Sequence, residues 1–311
     1  MENNNEQRVV ELERLYSDED WKEFDDKITI PIGAETETHN LVGTLENGFN
    51  LLVGGKPGSG KSNFLRCIIT SLMKTTSAIN LRLLLIDTKE TEFSMFDNSA
   101  ILLNSVVTEA EKAKNTLNWC IYEIENRIKL FSKNEVESIE EYREKRNKEL
   151  PRMLIIIDEY ADLMDCDFWT FEKDILYIVE NGQIAGVNII IGTSKIDVSG
   201  GYTKKLAEAF PFRIAFATFT AEESKDILGV PGAEKLEGRG ELLMLYPEIE
   251  TPVRAKGFFV SEYEIEEAKE KYDEANIFIP QSYTFKFLCK FFPGLVEYLA
   301  RCSRSRAKKE K

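Results

Sequence analysis

Two short stretches combine residue types and spacings that could do chemistry. The run Gly55-Lys56-Pro57-Gly58-Ser59-Gly60-Lys61-Ser62 follows the pattern G-x-x-x-x-G-K-[ST]. Its three glycines let the backbone curl until successive N–H groups point at one centre, which suits an anion. Lys61 supplies a compact charge for β- and γ-phosphates, and the Ser62 hydroxyl is a ligand for Mg²⁺. Asn63, next in the chain, is counted with the nucleotide-contacting residues, and the dipole of the following helix favours the same negative charge. The second stretch is Met153-Leu-Ile-Ile-Ile157-Asp158-Glu159, an apolar run ending in two carboxylates. Asp158 is read as the metal-side acid and Glu159 as the group that orients and activates water. ATP and Mg²⁺ are the expected ligands.

These residues need strands to hold them. The apolar run Phe49–Val53 precedes the glycine loop, and Phe64, Leu65, Ile68, Ile69 and Leu72 give the next segment one apolar helical face. Further strand-length runs lie at Leu81–Ile86, Met153–Ile157, Val187–Ile191, Phe212–Ala217 and Glu241–Leu245. Most are apolar throughout rather than alternating, as in strands covered on both faces. Thr193, just beyond the Val187–Ile191 run, joins the nucleotide-contacting set. Strand-like and helix-like segments alternate, so the fold class is α/β with a mostly parallel sheet flanked by helices.

Helix starts are marked by Thr108 with Glu111, Thr220 with Glu223 and Ser261 with Glu264, each fitting the capping box. A helix over about 109–131 is predicted, and 132–150, rich in both charge signs, reads as a solvated helix or loop. The organisation read is an acidic arm at 1–27, one α/β domain at 28–275 and an appendix at 276–311 with a basic tail.

Composition narrows the partners. The formal net charge of −14 opposes simple nucleic-acid binding, although six bases crowd Arg301–Lys311. Five scattered cysteines, never spaced as CxxC, argue against a disulfide framework or a zinc site and fit a reducing cytosol. No apolar run approaches the ~18 residues of a spanning helix, and the polar start is unlike a signal peptide. A cytoplasmic location is expected, with any membrane association through a partner.

The runs Leu83–Lys89, Leu154–Met164, Arg213–Phe216, Ser224–Leu228 and Thr251–Ser261, in that order, resemble the FtsK/SpoIIIE motor family. The resemblance implies a RecA-like P-loop fold and a homo-oligomeric ring, with a hexamer as the form considered. It also implies ATP-driven movement of double-stranded DNA through a central pore. Under it Arg213 becomes a candidate finger reaching a neighbour's γ-phosphate, and Lys195, Lys204 and Lys205 flank a candidate pore loop. A membrane or relaxosome protein is the candidate recruiting partner. Two residues depart from the family: Ser194 stands where glutamine is usual, and Lys225 where arginine is common. A type VII-like protein-export ATPase and a nucleotide-switched, non-catalytic adaptor are the alternative readings.

Overall fold

The computed structural model describes residues 9–17, 21, 24, 27–36, 39–146, 150–194 and 202–276. Strands β1 (Thr29–Ala34), β2 (Asn40–Thr44), β3 (Leu51–Gly54), β4 (Leu81–Ile86) and β5 (Arg152–Ile157) come from the first half of the chain. Strands β6 (Val187–Thr193), β7 (Phe212–Phe216), β8 (Glu241–Leu245) and β9 (Val253–Gly257) follow. All nine form one sheet in the order β2-β1-β9-β8-β7-β3-β6-β5-β4. From β7 to β4 every pairing is parallel; from β7 to β2 every pairing is antiparallel. The expected parallel sheet is therefore the half that carries the glycine loop, and four antiparallel strands extend it.

The helices are α1 (Glu13–Tyr16), α2 (Lys61–Thr75), α3 (Ala110–Lys133), α4 (Ile139–Arg146) and α5 (Tyr160–Ala185), then α6 (Tyr202–Ala209), α7 (Ala221–Leu228) and α8 (Glu262–Ala275). Residues of β3, β4 and β5 are buried along their whole length, with neighbours facing opposite sides. Leu51 and Val53 pack with Phe64, Leu65 and Ile68 of α2 and with Ile265 of α8. Leu52 points the other way, towards Leu117 and Ile124 of α3 and Ile175 of α5. A two-faced apolar run thus has helices on both sides, as its composition requires.

Local signals account for most boundaries. Thr220 and Ser261 each cap their helix with both bonds of the capping box. Thr108 does not: Glu109 is the residue before α3, and its side chain makes no cap bond. The segment expected to be a solvated helix or loop at 132–150 does contain α4, but one side of it is buried. Val136, Ile139, Tyr142 and Leu150 close a small core with Phe131.

The described part of the N-terminal arm packs on the domain. Leu12 and Leu15 are buried in the α2-side core. The amide of Phe259 donates to the carbonyl of Val10 at 2.8 Å, and that of Leu12 to the carbonyl of Phe259 at 3.0 Å. Phe285 and the other aromatics of the appendix, and the basic tail from Arg301, lie outside the described residues.

Candidate nucleotide-binding site

Parallel pairing brings the C-terminal ends of β3, β6 and β5 to one edge. Gly54 is opposite Thr193, Val53 opposite Gly192, and Ile157 opposite Ile191. The glycine loop leaves β3 there, Asp158 and Glu159 leave β5, and Thr193 and Ser194 leave β6. Gly192 allows the close approach: a Cβ on it would come within 2.3 Å of the Asp158 carbonyl oxygen.

The loop from Gly55 to Gly60 is pinned from outside. Lys56 donates its amide to the carbonyl of Ala217 at 2.8 Å, and Gly240 donates to the carbonyl of Ser59 at 2.9 Å. Gly55, Gly58 and Gly60 all have positive φ. Gly60 is tightly constrained, because φ is +119° and a Cβ would meet the Gly240 backbone at 2.9 Å. Pro57 and Gly58 form the exposed tip, and the Lys56 ammonium sits 5.6 Å over the Phe219 ring. The Ser59 hydroxyl oxygen is buried with no hydrogen-bond partner among the described residues. Such an orphaned polar atom beneath a curled backbone fits a phosphate cradle.

Lys61 is the first residue of α2 and is buried. Its ammonium donates to the loop's own carbonyls, 2.6 Å to Gly55 and 3.3 Å to Lys56. Burial lowers its pKa, and the nearby Glu159 and Asp158 carboxylates oppose that shift. Ser62 is half-buried on the first turn of α2, directly after the glycine loop that leaves β3. Asn63 turns away: its amide donates to the carbonyl of Val260 at 2.9 Å, fastening α2 to the chain after β9.

Asp158 is buried at the mouth of the site, and its pKa is raised to about 7. Burial is the main cause, and the Glu92, Asp87 and Glu159 carboxylates add to it. A carboxylate in this state gains from a divalent cation, so the donor set of Ser62 and Asp158 suits Mg²⁺ held together with phosphate oxygens. Glu159 precedes α5, yet its side chain does not cap that helix. It accepts instead from the amide of Ser194 at 2.8 Å and from the Ser194 hydroxyl. Lys89 lies 3.6 Å from Glu159 and 3.5 Å from Asp162.

Lys89, Asp87 and Asp162 did not figure among the sequence candidates. Asp87 is buried and accepts from the amides of Lys89, Glu92 and Phe93, which fixes the turn after β4. The available signal was position, since Asp87-Thr88-Lys89 directly follows a parallel strand and so arrives at the same edge.

Arg213 is not brought to this loop. It pairs with Leu52, two residues before the level at which β3 ends, and burial lowers its pKa while Glu208 opposes the shift. Lys204 and Lys205 fall within α6, and Lys195 lies outside the described residues. Among the described residues no helix is long and apolar enough to cross a membrane.

The sequence model of the FtsK/SpoIIIE family matches residues 11–167. A DNA translocase FtsK from Caldanaerobacter subterraneus subsp. tengcongensis is 34% identical over 260 residues, covering 83% of this chain and 36% of that protein. The chain therefore spans about a third of the length of the curated relatives it matches. Among solved structures, the cytoplasmic domain of the Thermomonospora curvata type VII secretion ATPase EccC superposes with a TM-score of 0.67 at 21% identity, over 80% of this chain and 31% of that one. The pCW3 conjugation coupling protein TcpA, solved as a monomer with ATPγS, gives 0.66 at 23% identity, over 79% and 70%. These likenesses agree on the fold, a P-loop α/β domain of the RecA-like kind. With its glycine loop, its paired carboxylates after β5 and its match over the family's sequence pattern, the chain belongs to the FtsK/SpoIIIE family.

Proposed function

We propose that this chain is an ATP-hydrolysing motor that moves double-stranded DNA. The observation that carries the reading is its 34% identity, over 83% of its length, to a DNA translocase FtsK. The convergence of Lys61, Ser62, Asp158 and Glu159 at one sheet edge supports it. Backbone N–H groups of residues 55–62 and the Lys61 ammonium bind the phosphates. Ser62 and Asp158 would hold Mg²⁺, whose chemistry there would be neutralisation of charge on the phosphoryl group. Glu159 accepts the proton of the attacking water, once its carboxylate is released from Ser194 and Lys89.

Arg213 lies away from its own loop, which supports a role across a subunit boundary in a homo-oligomeric ring. Arg213→Ala subunits should then depress turnover in mixed rings by more than their share. Lys195, Lys204 and Lys205 are assigned to sequence-independent contacts with the DNA backbone. The chain is placed in the cytoplasm, with a partner protein bringing it to the membrane.

ATP turnover measured against linear duplex concentration tests the reading at several salt levels. Duplex should stimulate turnover, and the effect should weaken with salt at a log–log slope near −0.9 per phosphate neutralised, as counterion release requires. Turnover indifferent to long duplex at low salt overturns the DNA assignment in favour of a protein-export motor. Absence of turnover in a protein that binds ATP favours the adaptor.

A further inference from the structure

The ammonium of Lys89 has two seats. It lies 3.6 Å from Oε2 of Glu159 and 3.5 Å from Oδ2 of Asp162, so neither carboxylate holds it alone. Both acids come from one place in the fold: Glu159 stands directly before α5, and Asp162 is in its first turn. Thr88, the residue before the lysine, donates its hydroxyl to the same Oδ2 of Asp162 at 3.2 Å. The backbone under Lys89 is fixed, because its amide donates to the Asp87 carboxylate at 3.2 Å. The side chain above it is 48% exposed. A flexible, half-exposed stem on an anchored backbone suits movement between two acceptors better than bracing of the fold.

The Glu159 carboxylate that shares this cation is buried. Its Oε1 accepts from the Ser194 amide at 2.8 Å, and Oε2 faces the same amide at 3.1 Å, the Ser194 hydroxyl and Lys89. An ammonium beside a carboxylate favours its charged form, and accepting a proton from water removes that charge. With Lys89 on Glu159 the transfer is opposed; with Lys89 drawn to Asp162 it is opposed less.

We infer that Lys89 is a positioning residue that restrains Glu159 in the nucleotide-free protein, and that Asp162, oriented by Thr88, is the seat to which its ammonium withdraws when water is activated. The inference rests on the reading of Glu159 as general base. Lys89 and Asp162 are not part of the glycine loop, so the restraint acts on the chemical step and leaves nucleotide affinity alone.

The test is single-turnover hydrolysis of Mg²⁺-ATP, with equilibrium ATP binding, by the full chain as wild type, Lys89→Met, Asp162→Asn and the double variant. Lys89→Met should raise the single-turnover rate about two- to fivefold, the range of one half-exposed ion pair. Asp162→Asn should lower it by a similar factor, since the lysine then keeps its place on Glu159. The double variant should match Lys89→Met, because the aspartate acts through the lysine. ATP affinity should be unchanged in all three. General loosening of the fold would slow every variant and cannot produce opposite signs. Slower hydrolysis or weaker ATP binding in Lys89→Met puts the lysine on the substrate and overturns the restraint. An unchanged rate in Asp162→Asn, or a double variant slower than Lys89→Met, overturns the second seat. Adding Glu159→Gln to Lys89→Met separates the two readings: it should abolish the gain, and if it leaves the rate untouched the base assignment falls first.

Discussion

Replacing Asp158 by asparagine should stabilise the nucleotide-free protein at alkaline pH. Its carboxyl is buried among Glu92, Asp87 and Glu159, and its pKa rises from 3.8 to about 7. Below the unfolded value both states carry the proton, and the group has no effect on stability. As pH rises from about 4 to about 7, the unfolded chain releases its proton while the native one holds it, so stability is lost across that window. A rise of roughly 3 units corresponds to about 4 kcal/mol at 1.36 kcal/mol per unit, fully lost above the folded pKa. Asparagine keeps the shape and removes the titration. Between pH 5 and pH 8 the advantage of Asp158→Asn should grow by roughly 3 kcal/mol, or about 6 °C in Tm at ~2 °C per kcal/mol for a chain of this size. Differential scanning calorimetry in magnesium-free buffer at the two pH values gives the answer. Excess Mg²⁺-ATP should reverse the order at pH 8, because a cation at the carboxylate favours its charged form. A variant that is less stable than wild type at pH 8, or a difference that does not change with pH, refutes the electrostatic account of this site.

Other substitutions address separate parts of the molecule. Glu159→Gln should bind ATP with wild-type affinity and hydrolyse it about 10²–10⁴ times more slowly, the usual cost of losing a general base; single-turnover assays measure both. Gly60→Ala combines a left-handed φ with a 2.9 Å clash against the Gly240 backbone, so it should lower Tm and weaken ATP binding together. The Glu123–Arg127 pair is fully buried at 2.9 Å, and Glu123→Ala should cost about 3–5 kcal/mol in urea unfolding because it removes the carboxylate facing a buried guanidinium that keeps its bond to the Ala185 carbonyl.

The half of the sheet that carries the glycine loop was legible because its strands are largely apolar runs, a pattern that requires two covering layers. Met153–Ile157, for example, is apolar throughout and lies wholly within β5. The antiparallel half was less so. β1 contains Pro31 and Gly33, and β9 alternates through Arg254 and Lys256, so neither reads as an interior strand; the pairing that places both inside the sheet, β1 with β9, joins segments distant in sequence. The same reason hid the surroundings of Glu159. Ser194 reaches it only because β5 and β6 lie in register, and Lys89 only because β4 ends beside β5. Capping boxes were reliable where the helix began on schedule, at Thr220 and Ser261, and failed at Thr108, where α3 starts one residue later and leaves the threonine outside.

The ammonium of Lys61, tied back to the carbonyls of Gly55 and Lys56, has a consequence for timing. An incoming phosphate does not meet a waiting cation; it must exchange with bonds that already exist. Much of the favourable enthalpy of the new contact replaces that of the old one, so the lysine's net share of affinity is smaller than its charge suggests. Arrival therefore has two stages, a loose encounter followed by transfer of the side chain from loop to ligand. In stopped-flow mixing, the observed rate should level off at high nucleotide concentration, and the plateau is the rate, forward plus reverse, at which the side chain transfers between loop and ligand.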